Sequence, residues 1–275
     1  MTGPEQQSET PDNFMRLNRF LARAGVGSRR NCDKLIDSGR IAVNGQVVSE
    51  LGVKVNPESD IVTFEGKRVQ LPSVDVVLML NKPAGVYTTM SDPQGRPCVA
   101  EYVPTEQYPG IYHVGRLDRD TTGLLLLTSD GQLGHQLQHP SKHVDKTYIA
   151  QVEGLLSATQ IRRLRDGIDI KVGNTVKRTA PAEIDVLSWK DLQREGFDVR
   201  QSCLERNRKK TSFVRVVIHQ GMKHQVKLML GATGHPVVNL HRASFGNLHL
   251  GNLKLGSWRM LTADEIAQLR RDARI

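Results

Sequence analysis

Apolar residues recur along the chain with two different periods. Leu17, Phe20, Leu21 and Ala24 fall at helical spacing and Gly25 supplies a stop. Ser28 opens a second short helix with Cys32, Leu35 and Ile36 on one side, ending near Gly39. The period then shortens. IAVNGQVV sets Asn44-Gly45 between β-branched runs, which predicts a tight hairpin, and IVTFEGKRV predicts another. After a short linker at residues 71–74, the run VVLMLN predicts a buried strand. Further strands are predicted at Ile111–Val114, Leu124–Thr128, Thr147–Val152, Glu183–Leu187, Phe213–Ile218 and Val237–Leu240. Helices are predicted at Leu133–Gln138, Ala158–Arg165 and Gln225–Leu230, and a last one is opened by the TADE capping box of Thr262 and Glu265. Strands and helices mix without strict alternation, so the expected fold class is α+β.

The pattern divides the chain. Residues 1–14 lack periodicity and large apolar residues, which predicts a disordered tail. A small module spans 15–72 and a large body 75–275, interrupted by a charged stretch at 188–212 that reads as an extended hairpin or a loose loop. Arg206, Arg208, Lys209 and Lys210 cluster at its end. A length of 275 residues accommodates a large domain plus a small one.

Charge changes the picture. Lys and Arg number 38 against 29 Asp and Glu, a net charge of +9, which suits nucleic acid first and an anionic membrane second. The longest apolar runs, Val76–Leu80 and Leu124–Leu127, are too short to span a bilayer. The polar start has no apolar core of a secretory signal. Cys32, Cys98 and Cys203 are scattered and odd in number, which argues against a disulfide framework or a CxxC metal knuckle and for a reducing cytoplasm.

Arg16, Arg19, Arg23, Arg29 and Arg30 fall within fifteen residues that contain no acidic residue. At helical spacing Arg16, Arg19 and Arg23 share a side away from Leu17, Leu21 and Ala24. A solvated face is the usual fate of such charges, but an uncompensated arginine run suits bidentate phosphate binding. The segment RLNRFLARAGVGSRRNCDKLIDSGRIAVNG resembles the S4 RNA-binding domain, over about residues 15 to 70. The resemblance implies that two helices and the following turn face RNA, with Arg19, Ser28, Arg29, Arg30 and Arg40 toward phosphates.

The body has three polar segments. HVGRLDRDTTGLLLLTSDG (113–131) runs from a strand through a polar turn into a buried strand, and such loops favour active groups. Asp118 lies between Arg116 and Arg119, with Asp120 two residues on. Ordinary turn or cap roles compete for these aspartates. A paired-carboxylate hydrolase fits poorly, because one loop does not separate the carboxylates across a bond. His113, Asp118, Asp120 and His135 follow no metal-ligand spacing. In HVDKTYIAQVEG, Tyr148 lies on a strand, where half-buried packing is the commonest role. In HQGMKHQVKLMLGATGH, Val226, Met229 and Leu230 face the core, leaving Lys223, His224 and Lys227 for solvent or a site.

Together these segments resemble the RsuA-type pseudouridine synthases of ribosomal RNA. The carrying motifs are NKPAGVYTT, GRLDRDTTGLLLLTSDG, KTY, HQVKLML and GHPVVNLHRASFGNLHLGNLKLGSWRMLT. The resemblance covers about 15 to 270, leaving 188–212 unmatched. It implies a mixed, mainly antiparallel sheet flanked by helices, a ribosomal RNA substrate and no cofactor or metal. It makes Asp118 the single catalytic aspartate, Tyr148 the ring that stacks on the target base, and Lys227 the cation paired with the aspartate. Arg116, Arg119, Thr122, Lys146, Lys223, His224 and Gln225 become RNA contacts. The chemistry is consistent with one carboxylate: the C1′–N1 bond breaks, the uracil turns, and C5 joins C1′ with no redox step. The target base must leave its stack, and an aromatic face replaces roughly 1–3 kcal/mol of stacking. A non-catalytic RNA-binding assembly factor of the same fold, or a hydrolase releasing uracil, are the rivals. Nothing in the pattern calls for oligomerisation, so a monomer is expected.

Overall fold

The computed structural model describes residues 13–194 and 211–273, in two compact units. Residues 1–12 of the expected tail, and residues 195–210 with Cys203, Arg206, Arg208, Lys209 and Lys210, lie outside the described residues.

The first unit comprises the described residues up to Asp75 together with Thr105–Ile111. Its elements are β1 (Met15–Arg16), α1 (Leu17–Arg23), α2 (Arg29–Asp37), β2 (Ile41–Val43), β3 (Gln46–Val48), β4 (Lys54–Val55), β5 (Val62–Phe64) and β6 (Lys67–Val69). The Ser28 hydroxyl caps α2 by accepting from the Asn31 amide. Both predicted hairpins form, and β2 and β5 join them into an antiparallel sheet in the order β3-β2-β5-β6. Asn44 and Gly45 both take positive φ, as a tight two-residue turn requires. Leu17, Phe20, Leu21, Cys32, Leu35, Ile36, Ile41, Val55 and Val62 form the core. The arginine row differs from expectation. Arg16 is extended and pairs with Lys54 in β1–β4, so it does not share a helix face with Arg19 and Arg23. Arg23 is engaged by Asp75 at 2.7 Å, an acid far along the chain from the arginine run.

The second unit takes Val76–Pro104 and the chain from Tyr112. Its strands are β7 (Val77–Lys82), β8 (Tyr112–Val114), β9 (Thr122–Thr128), β10 (Lys146–Glu153), β11 (Asp169–Val172), β12 (Thr175–Arg178), β13 (Glu183–Leu187), β14 (Thr211–Ile218), β15 (Val237–Phe245), β16 (Leu248–His249) and β17 (Trp258–Met260). The helices are α3 (Gly131–Gln138), α4 (Ala158–Arg165), α5 (Trp189–Arg194), α6 (Gln225–Gly231) and α7 (Ala263–Asp272). Nine of the described strands form one sheet, in the order β13-β14-β10-β15-β9-β7-β17, with β16 on β15 and β8 on β9. All its pairings are antiparallel except β9–β15, which run parallel through only two residue pairs. The fold is α+β, with a mixed, mainly antiparallel sheet.

Two cores clothe the sheet. Leu124 and Leu126 of β9 pack with Leu133 and Leu137 of α3 and Leu269 of α7. Ala150 and Val152 of β10 pack with Leu164 of α4 and with Val226, Met229 and Leu230 of α6. The second cluster aims α6: its apolar stripe goes inward, so Lys227 is left on the other side.

Several elements differ from the sequence pattern. β15 runs on to Phe245, past the polar His241, Arg242 and Ser244, all of which are buried. The described start of the charged stretch is not a loop but α5, closed by Ser188 and Asp191 bonding each other's amide groups and anchored by buried Leu192. The β11–β12 hairpin and β17 are strands of only three or four residues, too short for their alternation to stand out in the sequence.

Candidate active site

Asp118 lies in the loop between β8 and β9, and this loop is held largely through its main chain. The Thr88 hydroxyl donates to the Leu117 carbonyl at 2.7 Å. The Gly85 amide donates to the Arg119 carbonyl at 2.8 Å. Lys82, at the end of β7, is wholly buried (0 % exposed). Its ammonium donates to the carbonyls of Pro83 (2.9 Å), Arg119 (3.2 Å) and Thr121 (3.0 Å). Burial pulls the Lys82 pKa down to about 8, against the opposing charges of Asp120 and Asp118. The glycine in DTTG is explained by close approach: at Gly123, with φ +106°, a Cβ would stand 2.3 Å from the Arg242 carbonyl oxygen of β15.

Lys227 reaches the loop from α6. Its ammonium is 3.2 Å from Asp118 Oδ2 and donates to Asp120 Oδ1 at 2.8 Å. His224 Nε2 is 3.4 Å from the other Asp118 oxygen. His224 takes positive φ (55°) just before α6, and Lys223 precedes it, so neither is on the helix. Lys223 therefore does not share a helical face with Lys227. Burial works against both charges of the Lys227–Asp120 pair. Their mutual hydrogen bond and attraction outweigh it, lowering the Asp120 pKa and, with Asp118, raising that of Lys227.

A cleft of about 950 Å³ opens over this constellation. Asp118, Tyr148, His224 and Arg242 all line it, as do Arg116, Arg119, Lys146 and Lys223. Tyr148 sits on β10, opposite Arg242 of β15. Lys146 donates to the His219 carbonyl at 3.1 Å, and burial together with the Arg242 charge brings its pKa down to about 8.

Two more of the expected RNA contacts are bonded within the protein, Gln225 at the wall of the cleft and Thr122 at the start of β9. The Gln225 side chain is 4 % exposed and accepts from the Met222 amide at 3.0 Å, holding the turn before α6. Thr122 begins β9 and bonds the His241 ring at 2.9 Å. In the first unit Arg19, Ser28, Arg29 and Arg30 are exposed. Arg40 is paired with Glu65 and lies over the Phe64 ring.

Sequence reasoning missed Lys82 and Arg242. A lysine ending an apolar strand reads as a solvent-facing stop, and an arginine six residues into a strand reads as its end. Arg242 is 3 % exposed, donates to the Leu124 carbonyl at 2.6 Å, and its Nη2 has no partner among the described residues.

Residues 76–232 match the RNA pseudouridylate synthase family and residues 15–62 the S4 domain. The chain is 40 % identical to an uncharacterized RNA pseudouridine synthase of Mycobacterium leprae over 260 residues, 94 % of this chain and 93 % of the relative. It is 39 % identical to ribosomal large subunit pseudouridine synthase B of Bacillus subtilis (93 % and 95 % covered). It is 34 % identical to ribosomal small subunit pseudouridine synthase A of Yersinia pestis (93 % and 98 % covered). A solved pseudouridylate synthase superposes with a TM-score of 0.62 at 29 % identity, over 93 % of this chain and 99 % of that one. The chain therefore belongs to the RNA pseudouridylate synthase family, enzymes that isomerise uridine in RNA to pseudouridine. Among the described residues no helix is long and apolar enough to cross a membrane.

Proposed function

We propose that the chain isomerises a uridine of ribosomal RNA, with Asp118 as the catalytic carboxylate. The observation that carries this reading is the Asp118–Lys227 pair at 3.2 Å, with Asp118 lining a cleft that Tyr148 also lines. Two of the relatives are named for the ribosome, one as a large-subunit and one as a small-subunit pseudouridine synthase, which supports a ribosomal RNA substrate.

Asp118 acts on the ribose, as nucleophile at C1′ or as base on a ribose proton, while the N1–C1′ bond breaks; the detached uracil turns, C5 bonds C1′, and the C5 proton leaves as N1 regains one. Lys227 holds and aims the carboxylate from 3.2 Å. Tyr148 stacks on the unstacked base and takes part in moving the C5 proton. Arg116, Arg119, Lys146, Lys223 and His224 hold the strand around the flipped nucleotide. Residues 15–72 act as an RNA-binding unit through Arg19, Arg29 and Arg30, with Ser28 and Arg40 shaping the surface, and residues 75–275 carry the chemistry. The protein works as a monomer in the cytoplasm, without cofactor or metal.

Asp118→Asn tests this. Pseudouridine is mapped in both ribosomal RNAs of a strain lacking the gene, complemented with either form. One or more sites return with the wild-type gene and none with the variant, which still binds RNA. Normal modification by the variant removes Asp118 from the chemistry. Release of free uracil assigns a hydrolase, and the absence of any gene-dependent site leaves an RNA-binding protein.

A further inference from the structure

The loop following β7, residues 83–98, forms part of the cleft that the chemistry at Asp118 does not use. Tyr87 is fixed by its main chain: its amide donates to the Pro97 carbonyl at 2.9 Å and its carbonyl accepts from the Val99 amide at 3.0 Å. The Arg96 guanidinium carbon lies 4.4 Å from the centre of the Tyr87 ring, and that of Arg119 lies 5.8 Å from the same ring. Asp92 grips one edge of Arg96. Nε and Nη2 donate to its two carboxylate oxygens at 2.8 and 2.9 Å, and the Arg96 amide adds a third bond at 2.8 Å. The Asp92 side chain is almost covered, while that of Arg96 remains 44 % exposed. Tyr87, Asp92 and Arg96 line the same cleft as Asp118.

This arginine is unlike the others around the cleft. One of its two bidentate edges is spent on a carboxylate, so an approaching phosphate would be left with the Nη1 side and would meet the charge of Asp92. What the arrangement keeps is a flat, immobilised guanidinium backed by an aromatic ring, and bases of single-stranded RNA stack on such planes. The spacing from this plane to the aspartate is set as well. Gly85 bonds the Arg119 carbonyl and Thr88 bonds both main-chain groups of Leu117, so the two loops share one frame. A cleft of about 950 Å³ lies at the upper end of small-molecule sites and exceeds the need of one base.

We propose that Arg96, held over the Tyr87 ring by Asp92, is a stacking plate for an RNA base beside the flipped uridine, and so a specificity-determining residue. This rests on the reading of the cleft as the site of uridine isomerisation.

The test uses full-length large- and small-subunit ribosomal RNA transcripts carrying tritium at uracil C5, which isomerisation releases. Arg96→Ala raises KM about ten-fold, the size of one lost base stack, while kcat changes by less than about two-fold. Arg96→Lys keeps the charge, loses the plane and behaves like the alanine variant. Tyr87→Phe retains the stacking surface and the wild-type KM, whereas Tyr87→Leu raises KM. Filter binding of the same transcripts, with each change placed in an Asp118→Asn background, follows the plate independently of turnover. A wild-type KM for Arg96→Ala overturns the proposal, and full rescue by lysine replaces the plate with a phosphate clamp. If the unaltered enzyme releases no tritium from either RNA, the functional reading fails. The binding arm then decides the plate: weaker binding by both Arg96 variants supports it, and unchanged binding rejects it.

Discussion

Cations are used in opposite ways in the two units. In the first, Arg19, Arg29 and Arg30 stand exposed on two short helices, over a core supplied by neighbouring apolar residues. In the second, Lys82 and Arg242 are buried and donate to main-chain carbonyls. An exposed arginine contributes to affinity through its charge, which salt screens and neighbours partly replace. A buried cation is fixed by the acceptors around it, so its loss leaves those acceptors bare. On the proposed function, affinity for RNA is divided among interchangeable charges, whereas the geometry around Asp118 depends on a few that nothing nearby can replace.

The sharpest break of this contrast is Lys82→Met. Three carbonyls lose their donor, at a cost of about 3 kcal/mol, and the Asp118 loop loses its anchor. We expect kcat to fall at least about a hundred-fold with RNA affinity almost unchanged, read from tritium release and filter binding. Near-normal turnover would show that the loop needs no internal anchor. Gly123→Ala comes next: a Cβ at 2.3 Å from the Arg242 carbonyl and a φ of +106° lower stability by about 2–4 kcal/mol, measured by denaturant unfolding. A milder test comes from the other unit. Changing Arg19, Arg29 and Arg30 to Gln weakens RNA binding. It also flattens the salt dependence, by about 0.7–0.9 of a unit in log–log slope for each phosphate no longer neutralised. It leaves kcat alone; an unaltered slope would remove these arginines from the RNA surface.

The smallest effect is a shift in pH. Lys82 titrates at about 8. Below that, the ammonium supplies three donors; above it, one is lost, and turnover declines. Asp120→Asn removes the foremost charge opposing the downward shift, so this alkaline limb moves to lower pH. Lys146 also titrates at about 8, but its shift comes from burial and Arg242, so a stationary limb would point to that residue. Stability runs the other way. Between about 8 and the ordinary lysine value of 10.5, the unfolded chain binds more protons at Lys82, so this group's contribution to stability rises with pH.

Much of this is legible in the sequence where one physical cause dominates. The leucines of β9 and the stripe of Val226, Met229 and Leu230 are apolar, periodic and buried, and the Asn44-Gly45 turn needs the backbone those residues tolerate. What escapes is polar and buried together. The pattern ends β15 before His241 because hydropathy cannot distinguish a polar residue bonded inside from one in water. Lys82 escapes for the same reason, although it lies within the recognisable motif NKPAG. Motifs reveal Asp118 and Lys227, but not the sharing of Lys227 with Asp120, which spacing along the chain does not encode.

The grip of Lys82 on the loop has an evolutionary corollary. Two of its acceptors are the carbonyl oxygens of Arg119 and Thr121, and every amino acid carries that atom. The exposed side chain at 119 can therefore drift without releasing the anchor that frames Asp118. A lineage is free to retune the side chains at the cleft mouth while the Asp118 carboxylate stays where it was.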